Sequence, residues 1–299
     1  MQTNNISTDP VANGITAQKN IQLAVLRLDK MHPVVSGNKW FKLQYYIQAA
    51  LSKGSRSLLT FGGPYSNHIA AAAYAAKEHG LKAVGLIRGE EPQQWSHTLR
   101  EAAACNMQLA FLPRHEYDAV KRNPFSPKLE QQFGKVYVIP EGGFGALGMQ
   151  GAAGILRITD MNAYTHIVAA VGTGTTVAGI ITASGLHQQI TGISAMKRNS
   201  SLQDEIRFLL NGSLPGRFRL VHDYHFGGYA KYTPALTAFM NTFYHTTNIP
   251  LDFVYTAKMM YGIFDLMEKD FFSPYSRILA IHSGGLQGNR SLQPGALVF

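Results

Sequence analysis

From residue 55 onward the chain alternates short apolar runs with Ala-rich or amphipathic stretches, and no other feature narrows the possible folds as much. The runs are SLLTF (57–61), KAVGLI (82–87), MQLAFL (107–112), KVYVIP (135–140), HIVAAVG (166–172), ITGISAM (190–196) and RILAIH (277–282). Between them lie NHIAAAAYAAKEHG (67–80), HTLREAAACN (97–106), LGMQGAAGILRI (147–158), TVAGIITASGLH (176–187) and TPALTAFMNTFYHTTN (233–248). Strands buried on both faces read as near-continuous apolar runs, and the intervening helices cover them, so the pattern predicts βαβ units and mainly parallel sheets. Seven such strands exceed one modest open sheet, which predicts two α/β domains. The polar first twenty residues lack the pattern and are expected to be loosely held.

Composition excludes several classes. At 45% apolar and 15% charged residues over 299 positions, the chain is neither disordered nor fibrous. No apolar stretch approaches the ~18 residues of a membrane helix, and the start lacks the apolar core of a secretory signal, so a soluble cytoplasmic protein without membrane partners is expected. A single cysteine, Cys105, rules out internal disulfides and cysteine-based metal clusters, and no metal is expected. The formal net charge of +9 suggests a polyanion partner, but the basic residues are scattered. The densest stretch is KRNPFSPK (121–128), without a long run or interleaved aromatics, so no nucleic-acid partner is expected.

Ligands of parallel α/β sheets gather beyond the carboxyl ends of strands, and four segments there carry chemistry. In VGTGTTVAG (171–179), Gly172 and Gly174 let the backbone approach an anion, and Thr173, Thr175 and Thr176 add hydroxyls at a helix N-terminus. The loop lacks the Gly-Lys-Ser/Thr of a P-loop and the third glycine of the dinucleotide fingerprint, so it predicts the phosphate of a small cofactor. In SGNKWFKL (36–43), Gly37 and Asn38 form a turn, and Lys39 and Lys42 share one helix face. Neighbouring cations lower each other's amine pKa, which favours the free amine that forms a Schiff base, although two solvated lysines would look the same. FGGPYSNH (61–68) places Tyr65, Ser66, Asn67 and His68 at a helix start, where Ser66 or Asn67 also reads as a plain N-cap. The last are VYTAKMMYG (254–262), with Tyr255 and Thr256, and ILAIHSGGLQG (278–288), with His282 and Ser283 before paired glycines.

In this order, with IPEGGFGALGMQG (139–151) linking them, the motifs resemble the pyridoxal-phosphate enzymes of the tryptophan-synthase β-subunit fold, called fold type II. They are most similar to the branch of aminocyclopropane-carboxylate (ACC) deaminase and D-cysteine desulfhydrase, from about Leu26 to about Gly288. The resemblance implies a two-domain α/β fold with parallel or mixed sheets flanked by helices. Residues 1–43 and 154–299 would form a larger cofactor-binding domain and residues 44–153 a smaller one, with pyridoxal 5'-phosphate in the cleft between them and a homodimer as the assembly. Lys39 then takes the place of the lysine that links to the cofactor, and Lys42 lies near the phosphate held by Gly172, Thr173, Gly174, Thr175 and Thr176. Asn67 holds the ring hydroxyl, and Ser66 contacts the substrate or moves a proton. Tyr255 is an active-site tyrosine and Tyr229, in FGGYAK, a second. Tyr65 and His68 line the substrate side. His68 and His282 flank the site, and the commoner reading of each is a hydrogen-bonded structural histidine.

Departures from the family pattern point to the reaction on a small amino acid. Pro64 and Tyr65 stand before Ser66 where the family commonly has x-Gln, and the segment before Lys39 is shorter than usual. ACC deaminases carry Glu after the tyrosine and Leu before the Gly pair, where this chain has Thr256 and Ser283. A carboxylate keeps the cofactor's ring nitrogen protonated and the electron sink strong, whereas a hydroxyl can leave it neutral. Two hydroxyls favour β-elimination of the D-cysteine desulfhydrase kind, giving pyruvate and ammonia. The alternatives are ACC deamination and cofactor binding without turnover.

Overall fold

The computed structural model describes residues 5–32, 35, 37–124, 126–197 and 200–299. Ser36 of the lysine motif, Pro33 and Val34 before it, Phe125 of the basic stretch and the first four residues lie outside the described residues. The strands are β1 (Thr8–Val11), β2 (Gln22–Arg27), β3 (Ser57–Gly62), β4 (Lys82–Arg88), β5 (Met107–Leu112), β6 (Tyr137–Ile139), β7 (His166–Val171), β8 (Gln189–Ser194), β9 (Phe218–Val221) and β10 (Arg277–His282). The helices are α1 (Gly14–Gln18), α2 (Asn38–Ser52), α3 (Asn67–Glu78), α4 (His97–Ala104), α5 (Arg114–Arg122), α6 (Pro127–Phe133), α7 (Ala146–Ala153), α8 (Thr175–Ala183), α9 (Leu202–Leu209), α10 (Pro234–Thr247) and α11 (Thr256–Glu268). All seven expected strands form. Among the described residues no helix is long and apolar enough to cross a membrane.

The chain divides into two units, residues 1–38 with 152–299, and residues 39–151. The first holds a six-stranded sheet in the order β1-β2-β10-β7-β8-β9, parallel except for β1, which pairs antiparallel with β2. One apolar cluster joins the sheet residues Val25, Val168, Ile193 and Ile278 to α10 and α11 through Leu236, Met240, Met259, Met260 and Ile263. Each such side chain contributes about 1.5–3 kcal/mol when fully buried. The second unit holds a four-stranded parallel sheet in the order β5-β4-β3-β6. Leu59, Phe61, Val84 and Leu86 pack there against Tyr117 of α5 and Leu129 of α6. In α3 a run of alanines is buried with Ile69, which gives a strong helix former a face small enough to lie close to β3 and β4.

The structure corrects the expectation for the first twenty residues. Residues 8–11 pair with residues 23–26, and α1 follows with a capping box between Asn13 and Thr16. Pro10 conceals the strand, but on an edge strand a missing N–H is tolerated. β2 is concealed by its last residue, Arg27, which is buried with its guanidinium held by Asp9 and Asp29. The helix expected over 147–158 ends at Ala153 and passes into a 3₁₀ turn, Gly154–Arg157, since glycine is a poor helix former.

Candidate active site

Within the larger sheet β2, β10 and β7 are neighbours running in one direction, so the segments leaving their carboxyl ends emerge along one edge. β7 hands the chain to Gly172 and Thr173, and Gly174 turns it into α8 with a left-handed backbone (φ 75°, ψ −20°). A Cβ on Gly174 would lie 2.6 Å from Ile206 Cγ1, so the loop closes only with glycine there. Thr173 Oγ1 and Thr175 Oγ1 are 3.2 Å apart, and Thr176 Oγ1 accepts from Asn38 Nδ2 at 2.9 Å. The first-turn N–H groups of α8, which have no partner within a helix, complete an anion cup.

Asn38 also ties this cup to the β10 end, because its backbone N–H donates to the Ser283 carbonyl at 3.2 Å. Just before it, Gly37 (φ +73°) leaves so little room that a Cβ would sit 1.8 Å from the Ser283 oxygen. His282 is fully buried, and its Nε2 donates to the Pro250 carbonyl at 2.8 Å. Its Nδ1 lies 3.3 Å from the Gly284 N–H and 3.2 Å from Asp29. His282 thus braces the Ser283 turn.

Tyr255 enters α11 with its ring on Gly172, where a Cβ would come within 3.1 Å of the ring and 3.2 Å of the phenolic oxygen. The Tyr229 ring meets Tyr255 edge to face at 6.1 Å. Asp252 caps the helix: Oδ2 accepts from the Val254 and Tyr255 N–H groups, and Oδ1 from the Thr256 N–H and hydroxyl. Thr256 is completely buried, donates its hydroxyl proton to Asp252 at 2.7 Å and accepts from the Asp252 N–H at 2.7 Å. Its hydroxyl therefore belongs to the helix cap and presents no surface to a ligand.

The second unit carries the lysines. Lys42 of α2 is buried, and burial together with the adjacent Lys39 pushes its ammonium pKa well below the ordinary value. His68 is buried in the same neighbourhood, and burial, Lys42 and Lys39 keep it neutral. Thr60 Oγ1 donates to the Ile139 carbonyl at 2.8 Å, so it accepts from His68 Nε2 at 2.8 Å, and the ring proton is on Nε2. Among the described residues, His68 Nδ1 finds no hydrogen-bond partner, although it is buried. Ser66 caps α3, its Oγ accepting from the Ile69 N–H at 3.4 Å, and Tyr65 is exposed, its ring tilted against His97 at 5.9 Å. Asn67 begins the helix, and its buried Oδ1 has no hydrogen-bond partner among the described residues.

In the first unit the loop before α8 suits a phosphate. In the second, the buried Asn67 oxygen suits a ligand hydroxyl, and the lysine pair suits an anion or a carbonyl. Sequence reasoning gave Asn38 only a place in a turn and did not find Asp252 or Thr60 as supporting residues.

Residues 6–284 match the family described as "Pyridoxal-phosphate dependent enzyme". A putative 1-aminocyclopropane-1-carboxylate deaminase of Pyrococcus horikoshii is 32% identical, covering 85% of this chain and 81% of the relative. A D-cysteine desulfhydrase of Klebsiella pneumoniae is 27% identical, covering 88% of this chain and 87% of its own. The crystal structure of an ACC deaminase homologue superposes with a TM-score of 0.81 at 27% identity, over 95% of this chain and 90% of that one.

Proposed function

The chain belongs to the pyridoxal-phosphate dependent enzymes, and on that premise we propose that it is a lyase removing the β-substituent of a small D-amino acid, D-cysteine first. Lys39 would hold the cofactor, which would supply an electron sink for the substrate carbon that loses its proton. Gly172, Thr173, Gly174, Thr175 and Thr176 would hold its phosphate, with Lys42 balancing charge, and Asn67 Oδ1 would accept from its ring hydroxyl. Lys39 Nζ carries the α-proton. Ser66 Oγ, which accepts from the Ile69 N–H, keeps its own proton to orient the substrate carboxylate. Tyr255 would protonate the departing sulfur, a reading supported by its seat on Gly172 and the bond of its N–H to Asp252. His68, held neutral by burial and by Lys42 and Lys39, brings no charge to their neighbourhood.

The observation that carries the choice of reaction is the absence of a carboxylate at positions 256 and 283. Since the Thr256 hydroxyl is engaged by Asp252, Ser283 is the hydroxyl left for the ring nitrogen, and a hydroxyl does not compel its protonation. The name of the Pyrococcus horikoshii relative favours a second reading, ring opening of ACC to 2-oxobutyrate and ammonia. The test is the full chain with pyridoxal phosphate, given D- and L-cysteine, D- and L-serine and ACC, scored for sulfide, pyruvate and 2-oxobutyrate. Sulfide and pyruvate from D-cysteine, with no product from ACC, is the expected result. Product from ACC without sulfide from D-cysteine replaces the first reading with the second, and no product from a cofactor-loaded chain leaves a binder without turnover.

A further inference from the structure

Lys258 of the VYTAK segment has no part in the chemistry described above, yet it is fully buried. Its Nζ donates to the Gly228 carbonyl at 2.7 Å. That carbonyl belongs to a turn in which four of five successive residues have left-handed backbone: Phe226 (φ 48°), Gly227 (φ 93°), Gly228 (φ 119°) and Ala230 (φ 52°). Phe and Ala are strained there, and strain of this kind persists only where the surroundings over-determine it. The turn's internal bonds are the Gly227 N–H to His225 Nδ1 at 3.0 Å, the Gly228 N–H to the His225 carbonyl at 3.0 Å and the Lys231 N–H to the Gly228 carbonyl at 3.1 Å. All of these are local. The bond from Lys258 ties the turn to α11, beside the ring contacts of Phe226 with Tyr261 and of Tyr229 with Tyr255.

Residues three apart on a helix are neighbours on one face, so α11 presents Tyr255 and Lys258 side by side. They meet successive residues of the turn, Lys258 taking the Gly228 carbonyl and Tyr255 the edge of the Tyr229 ring. Tyr255 in turn rests on Gly172 of the phosphate loop. We propose that Lys258 is a positioning residue, whose bond to Gly228 holds the strained 226–230 turn so that Tyr229 sets Tyr255 on the phosphate loop. A buried cation is an expensive way to fill space, and an apolar side chain would pack as well without holding a carbonyl. The charged and titratable groups acting on Lys258 are Asp252 before α11 and His225 of the turn, and His225 itself faces Lys197 after β8 and Asp223. Burial brings the Lys258 amine down to about 8, against the opposing pull of Asp252.

The proposal rests on Tyr255 belonging to the cofactor site, and the test separates the two ideas. Amide hydrogen exchange is followed over residues 225–231 in the cofactor-free full chain, and affinity for pyridoxal phosphate is measured by absorbance. Lys258→Met is expected to speed exchange in the turn and to weaken cofactor affinity, each roughly tenfold, while exchange in β7, β8 and residues 39–151 stays as in the wild type. Ala230→Gly, which removes backbone strain from the turn, is expected to restore most of both losses when added to Lys258→Met. Unchanged exchange in Lys258→Met overturns the proposal, and so does a double variant no better than the single one. Fast exchange with unchanged cofactor affinity overturns the link to Tyr255. Should Lys258→Met fail to fold, Lys258→Gln, which keeps a donor, carries the same readouts, and fast exchange in it with no recovery on adding Ala230→Gly likewise overturns the proposal.

Discussion

Replacing Gly37 by alanine tests whether the turn before Lys39 is built against the β10 end. The backbone there has φ +73°, a conformation that costs an L-residue about 1–2 kcal/mol. The added Cβ would lie 1.8 Å from the Ser283 oxygen, 2.3 Å from its carbonyl carbon and 2.7 Å from the Gly284 nitrogen. All three are backbone atoms, so no rotamer change relieves the clash, and the two turns must part by about 1.5 Å to reach ordinary contact. Parting them lengthens the Asn38 N–H bond to Ser283 beyond its 3.2 Å and pulls Asn38 Nδ2 from Thr176, now at 2.9 Å. At about 1 kcal/mol for each bond, the whole change comes to about 3–4 kcal/mol. A chain with ordinary stability survives that, and the phosphate loop loses its Asn38 contact. Affinity for pyridoxal phosphate, titrated by absorbance, should fall by about ten- to a hundredfold, and urea unfolding should begin earlier. Two controls separate the contributions. Gly54→Ala, at φ +66° with nothing within 4 Å of its Cβ, should show the backbone cost alone, and Gly14→Ala, with equal room at the start of α1 and no positive φ, should cost no stability. Unaltered cofactor affinity in Gly37→Ala refutes the reasoning, as does a loss no larger than that of Gly54→Ala.

Lys42→Met removes a buried cation pressed against Lys39, so it should stabilise the cofactor-free chain by about 1–3 kcal/mol while weakening cofactor binding, as urea unfolding with and without pyridoxal phosphate will report. Asp252→Ala leaves three backbone N–H groups without their acceptor and the Thr256 hydroxyl with only the residue 252 carbonyl, and should cost about 3 kcal/mol or more in the same assay. Lys258, lowered from 10.5 to about 8, burdens the fold with a buried charge at every pH below that value. Between pH 8 and 10.5 the folded chain holds fewer protons at this site than the unfolded one, so stability should rise by about 3 kcal/mol across that window. The rise should be absent from Lys258→Met, and a rise of equal size in both proteins would assign it to other groups.

The seven strands legible in the sequence are those whose burial on both faces leaves little but apolar residues between turn signals. The three that were missed hide for physical reasons: Pro10 on an edge, Arg27 neutralised from two sides at the end of β2, and a four-residue β9 with a charged member. The same division runs through the site. Gly37, Gly174, the lysine pair and the threonine loop are visible because their chemistry is local, resting on a positive φ, a helix terminus or a three-residue spacing. Asn38, Asp252, Thr60 and Lys258 are ordinary letters until their partners are known, and Asn38 finds Thr176 across 138 positions. Strand order closes much of that distance. Once β2 is placed beside β10, and β10 beside β7, the loops bearing Gly37, Ser283 and Gly172 must leave one edge of the sheet as neighbours. An amide at the start of α2 then has both the Ser283 carbonyl and the first turn of α8 within reach. The hardest part of the site to read therefore hangs on the strand that Arg27 conceals, and the two carboxylates that allow Arg27 to be buried, Asp9 and Asp29, lie within 18 and 2 residues of it.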